Sequence, residues 1–161
     1  LDGQSMKRIF GIFCSISIIS VMFLIEEFRE TKNVLSPDRW YPVTAHLCGK
    51  RMASLVGSGR VLTLAPIFPL EGGLSIYREF ATAPFAWRVA KFVKSEERAK
   101  FILVSEYELG DLLKQYPPRA VFTGYDKRLE DLFLSYAKEN NFRRVQEKNA
   151  DLFIEDKTKV Y

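Results

Sequence analysis

Apolar residues fall into three regimes along this chain. Residues 9–25 form one uncharged run between Lys7-Arg8 and Glu26-Glu27. Residues 66–83 are apolar but follow no period, with two prolines and the pair Gly72-Gly73. The rest of the chain beyond residue 36 alternates helical spacings with short continuous apolar stretches. At about 1.5 Å per residue the first run extends about 26 Å, the low end of what crosses a hydrocarbon core of about 30 Å. It predicts a transmembrane helix with its exit over residues 6–30. Lys and Arg are retained on the cytoplasmic side. The expected arrangement is therefore a single span in the inner membrane, N-terminus in, with the remainder extracytoplasmic. A cleaved signal peptide has a similar basic and apolar layout, but Glu26-Glu27-Phe28-Arg29-Glu30 offers no small-x-small cleavage site. Residues 1–5 read as a leader or remnant ahead of Met6, or the chain is a piece of something longer.

Residues 36–156 are expected to form one α/β domain. Tyr41, Ala45, Cys48, Met52 and Leu55 share a face of a helix over 42–56, ended by Gly57-Ser58-Gly59. His46 lies off that stripe. Trp40 and Tyr41 either sit at headgroup level beside the span or pack against this helix. Residues 61–65 read as a strand buried on both faces. Pro84 opens a helix with Phe85, Val89, Phe92 and Val93 on one side, leaving Trp87 and Arg88 elsewhere. A short N-capped turn follows at 95–98, and 101–104 is a strand or the end of that turn. Ser105 and Glu108 have capping-box spacing ahead of a helix with Leu109, Leu112, Leu113 and Tyr116 on one face. Pro117-Pro118 stops it. Residues 120–123 form a second buried strand, 126–140 an amphipathic helix, and 142–146 and 151–154 two last strands around a polar turn at Lys148-Asn149. Helices alternating with buried strands predict a small, mostly parallel layered sheet with flanking helices. The last two strands alternatively form a hairpin at one edge.

The aperiodic stretch 66–83 follows the first strand. Long loops after strands often carry function, and in open sheets they lie at the carboxyl edge. Glu71, Tyr77 and Arg88 are the expected site: they converge near the membrane surface and contact a sugar or an anionic headgroup, Arg supplying a bidentate fork for phosphate. The alternative is an internal Glu71–Arg88 pair that fixes the loop.

Composition removes several function classes. The 161 residues are 47% hydrophobic and 14% aromatic, which excludes a disordered chain. A net charge of +4 is mild, and its cations are interleaved with acids rather than gathered in a stripe, so no nucleic-acid partner is expected. One histidine and two cysteines, Cys14 in the span and Cys48 beyond it, predict neither a metal site, a cofactor nor a disulfide. No phosphate loop, nucleophile elbow or Cys-x-x-Cys occurs, so no catalytic residue is assigned.

Residues 61–77, from Val61-Leu62-Thr63-Leu64-Ala65-Pro66 through Glu71-Gly72-Gly73 to Tyr77, then Phe80-Ala81-Thr82-Ala83-Pro84-Phe85-Ala86-Trp87-Arg88-Val89, resemble a block in the C-terminal region of bacterial polytopic glycosyltransferases. These are family 39-like membrane enzymes, related to protein mannosyltransferases and aminoarabinose transferases. Pro117-Pro118-Arg119-Ala120-Val121-Phe122-Thr123-Gly124 resembles the same family's tail, so the likeness covers roughly residues 37–155. It implies an enzyme that moves a sugar from a polyprenyl-phosphate carrier to an outer-face acceptor. It also implies membrane lipid and the enzyme's remaining transmembrane helices as partners. The family carries many spans and places its catalytic acids in a first outer loop; this chain shows one run and no such loop. The expectation is a non-catalytic C-terminal extracytoplasmic domain of such an enzyme. The competing class is a single-pass, membrane-anchored protein-interaction domain, and the third a secreted domain after signal cleavage.

Overall fold

The computed structural model describes residues 3–31, 36–146 and 150–155, in two units, residues 1–44 and 45–161. The expected turn at Lys148-Asn149 and residue 156 lie outside the described residues. In the first unit, α1 (Gly3–Thr31) is a 29-residue helix that takes in the predicted 6–30 segment and residues 3–5 before it. From Phe10 to Ile25 its side chains are exposed all round, Cys14 alone being half-buried. The helix expected over 6–30 is present, but its expected crossing of a membrane finds no support: among the described residues no helix is long and apolar enough to span one. A 3-10 turn at Pro37–Arg39 follows, and the exposed Trp40 starts α2 (Tyr41–Val56) by accepting the Thr44 N–H through its carbonyl at 2.9 Å.

The second unit holds a five-stranded sheet, β1 (Arg60–Leu62), β2 (Ser75–Ile76), β3 (Ala120–Thr123), β4 (Arg143–Gln146) and β5 (Asp151–Ile154), in the order β2-β1-β3-β5-β4. The expected mostly parallel sheet is corrected to a mixed one. β1 pairs parallel with β2 and β3, while β5 runs antiparallel to both β3 and β4 in longer ladders. The connection between β4 and β5 is too short for a parallel crossover, which takes a dozen or more residues, so these strands form the edge hairpin.

Because successive side chains on a strand point to opposite faces, the central strands feed two cores. Leu62, Val121 and Phe153 meet Tyr77, Phe80, Leu113 and Phe133 on one face. Val61, Ala120, Phe122 and Leu152 meet Met52, Val56 and Leu74 on the other. The helices completing these layers are α3 (Ile67–Glu71), α4 (Pro84–Ala90), α5 (Ser95–Arg98), α6 (Leu109–Gln115) and α7 (Asp131–Glu139).

Four local readings change. The strand expected over 61–65 ends at Leu62 because the Thr63 hydroxyl accepts the Ala65 N–H at 3.0 Å and turns the chain, though all five residues are buried. The aperiodic stretch 66–83 is no open loop: it holds α3, β2 and a 3-10 turn at Arg78–Phe80, and its apolar residues Leu74, Tyr77 and Phe80 are core. On α4 the expected face is inverted. Ala86 and Ala90 are the buried side of the helix, and the Trp87 ring lies 5.5 Å from both Phe80 and Phe133, which leaves Phe85, Val89 and Phe92 outward. The predicted 126–140 helix is shortened to α7, its first residues being taken up by a turn described with the site.

On α2 the buried stripe is Ala45, Gly49, Met52 and Val56, rotated from the expected one, with Tyr41 and Leu55 exposed. The reason is a backbone contact. A Cβ on Gly49 would meet the Phe68 carbonyl oxygen, and would stand 2.7 Å from the Gly72 nitrogen. Helix propensity favours Ala over Gly by about 1 kcal/mol, but immovable backbone atoms oppose it here. Gly49→Ala is therefore expected to destabilise the domain by about 1–3 kcal/mol, read as a lowered urea midpoint; an unchanged or raised midpoint would show that α2 does not rest on α3.

Candidate functional site

β1 and β3 run parallel, so their carboxyl ends share one edge of the sheet, where ligands of open α/β sheets commonly bind. Leaving β3, the chain turns at Gly124, whose φ of +125° lies where glycine is favoured. Glu130 holds this turn. Its Oε2 accepts the Gly124 N–H at 2.8 Å and the Asp126 N–H at 3.2 Å, while the residue is only 1% exposed. Its Oε1 is buried with no hydrogen-bond partner. Burial pushes the Glu130 pKa up and nearby Asp126 adds to the rise, against the lowering effect of the backbone amides.

Asp126 joins this turn to α4. Its Oδ2 accepts from Arg88 Nη2 at 3.1 Å and its Oδ1 from the Arg128 backbone N–H at 3.1 Å. Trp87 Nε1 adds a second tie, donating to the Leu129 carbonyl at 3.1 Å. Between α4 and this turn opens a groove of about 430 Å³. Three cationic side chains line it, Arg88, Lys91 and Arg128, with Glu106 and Asp131 and the apolar Trp87, Phe92, Leu129 and Leu132. Lys91 Nζ stands 5.2 Å from the centroid of the Phe92 ring. The groove is suited to an anion attached to an apolar or ring-bearing group.

Of the three residues expected to converge, only Arg88 lies on this groove, and the convergence is corrected. The Glu71 carboxylate, at the end of α3, pairs with His46 Nδ1 at 3.0 Å across to α2, both groups exposed. Tyr77 points into the core and its hydroxyl donates to the Tyr116 carbonyl. Its ring and that of Tyr116 flank the Arg60 guanidinium at 5.0 and 5.2 Å. Burial pushes the Tyr77 phenol above its ordinary range. The alternative Glu71–Arg88 pair is not formed either, since Arg88 is bound to Asp126. The short elements within 66–83 separate these side chains: α3 turns Glu71 toward α2, and β2 and the 3-10 turn send Tyr77 inward.

Sequence reasoning missed Asp126 and Glu130, which it placed in the first turns of the helix over 126–140. The available signal was an acid, Glu130, beside the apolar Leu129 at the start of a helical stripe. The Ser105–Glu108 capping spacing is realised in part: Glu108 Oε2 accepts the Ser105 N–H at 3.0 Å. Its further partner was not foreseen. Arg98 Nε and Nη2 donate to the two Glu108 oxygens at 2.9 and 2.7 Å. Arg98 and the Ser105 amide hold the Glu108 pKa down at about 2. Among the described residues no group of three His, Cys, Asp or Glu is placed to hold a metal ion. No protein-family model, curated protein or solved structure matches the chain.

The two acids impose opposite pH dependences. Glu108 is depressed, so its contribution is fully present above the ordinary carboxylate value near 4.5 and is lost as pH falls toward 2. Glu130 is raised, so the folded state binds the extra proton, and stability falls as pH rises from 4.5 through its elevated value. Glu108→Gln is expected to flatten the acid limb of the stability–pH profile, and Glu130→Gln to flatten the decline above 4.5, both followed by urea denaturation across pH. A wild-type decline above pH 4.5 that persists in Glu130→Gln would refute the assignment to this carboxyl.

Proposed function

We propose that this chain is the C-terminal extracytoplasmic domain of a family 39-like membrane glycosyltransferase, tethered by α1, and that its basic groove receives the phosphate of a polyprenyl-phosphate sugar or of a lipid headgroup. The single observation that carries the reading is the gathering of Arg88, Lys91 and Arg128 beside Trp87 and Phe92, at the carboxyl side of β3. Guanidinium groups pair phosphate oxygens in a planar fork, and aromatic rings accept the apolar or sugar face of the attached group. The tether is supported by the uncharged residues 9–25 and by the all-round exposure of the apolar side chains from Phe10 to Ile25. Unsatisfied by protein, such a surface is stable against lipid. In this reading the domain does not itself break the glycosidic bond. It holds the carrier's phosphate on the outer face and shapes the acceptor side of the enzyme.

Arg128 is the cleaner probe, because Arg88 also holds the Asp126 turn. With the full chain in detergent and farnesyl phosphate as ligand, Arg128→Ala and Lys91→Ala are each expected to weaken binding about tenfold, the loss of one charge-assisted bond of ~1.5 kcal/mol. Farnesol is expected not to compete. Unchanged phosphate binding in both variants would end this reading.

A further inference from the structure

The outward face of α4 and the turn after α5 are strongly apolar. Phe92 is 80% exposed and Phe101 65%, and Phe85 and Val89 stand beside them. Phe85, Ala86, Val89, Phe101, Ile102 and Leu103 line an open groove of about 440 Å³, with Arg78, Glu79 and Thr82 completing its lining. Two strained residues border it. Ala83, before α4, has φ +57°, and Ile102 has φ +54°, a conformation rare for a β-branched side chain. Ile102 occupies the left-handed position after α5, where the Leu103 N–H closes on the Arg98 carbonyl at 2.9 Å. Glycine relieves strain at such a position; here an apolar side chain is kept and half shown to solvent. The Arg98–Glu108 clamp, with Arg98 Nη1 donating to the Val93 carbonyl at 2.6 Å, fixes this turn against the chain leaving α4.

We infer that this face, carrying Phe85, Phe92 and Phe101 with Lys91, Lys94 and Lys100 between them, is a bilayer-contact surface that inserts at the headgroup level of a membrane. Three arguments select lipid as the occupant. The rings of Phe85, Phe92 and Phe101, on α4 and in the turns after α4 and α5, are mostly exposed, which suits insertion among acyl chains. The interleaved lysines can reach outward to phosphates while their stems stay apolar. The same chain carries α1, so a bilayer that holds α1 meets this face at high effective concentration. Glu96 and Glu97 of α5 lie in the same stretch, so apolar insertion supplies the affinity and anionic lipid only assists. The inference rests on the tether in the preceding reading, but not on the groove's ligand.

The test uses the full chain in vesicles of phosphatidylcholine and phosphatidylglycerol at 3:1. In a Cys14→Ser, Cys48→Ala background, nitroxide labels are placed at Phe92→Cys, at Phe101→Cys and, at the exposed position 138 of α7, at Lys138→Cys. Oxygen collisions are expected to exceed nickel-chelate collisions at 92 and 101, and the reverse at 138. In the unsubstituted chain, hydrogen exchange over residues 99–103 is expected to slow severalfold on reconstitution. Aqueous behaviour at 92 and 101 in vesicles that co-float with the protein would overturn this inference alone. Failure to co-float would remove the tether and this inference together. Protection that rises with protein concentration in the absence of lipid would assign the face to a second copy and overturn it as well.

Discussion

The pairing of β1 with β3 is the constraint on which the second unit depends. These strands are three and four residues long, and every residue of β3 is buried. So few ladder hydrogen bonds do not hold two strands together in water. They hold because both faces are covered, by Met52, Val56 and Leu74 on one side and by Tyr77, Phe80 and Phe133 on the other. The segments linking the strands therefore have to supply two hydrophobic layers. That explains why residues 66–83, rich in apolar side chains yet aperiodic, condense into three short elements rather than a surface loop.

The same economy shapes the carboxyl edge. A buried acid is unfavourable in an apolar core, yet Glu130 lies there because it satisfies backbone N–H groups that the turn after β3 would leave without partners. The turn so held carries Asp126, Asp126 orients Arg88, and Trp87 reaches the Leu129 carbonyl. The position of the cationic side chains is thus tied to the end of the central strand through one buried carboxylate and two side chains of α4. A groove built this way is preorganised on the α4 side, whereas Lys91 extends on a flexible stem.

Much of the layout was legible in the chain. The helix through residues 6–30, α2, both buried strands, α6 and the edge hairpin follow from runs, periods and proline stops. The failures share one cause. On α4 the stripe of Phe85, Val89 and Phe92 reads as a core face, because pattern analysis places large apolar residues inward; the fold instead buries Ala86 and Ala90 and packs Trp87 against the core. On α2 the stripe turns by one position because Gly49 permits a backbone contact that no hydrophobicity scale registers. Of the three residues expected at a site, only Arg88 lines the groove beside α4; Glu71 and Tyr77 have local partners, His46 and the Tyr116 carbonyl, that depend on how the aperiodic stretch folds.

The sheet's order leaves β2 and β4 as its two rims. β2 has two residues, too few to template an added strand, and β4 presents the exposed Arg143 and Arg144, the latter paired with Asp151. Short rims and charged rims both discourage edge-to-edge growth. Among the described residues the sheet thus gives crowded copies little backbone on which to add a strand, which shifts association toward side-chain surfaces.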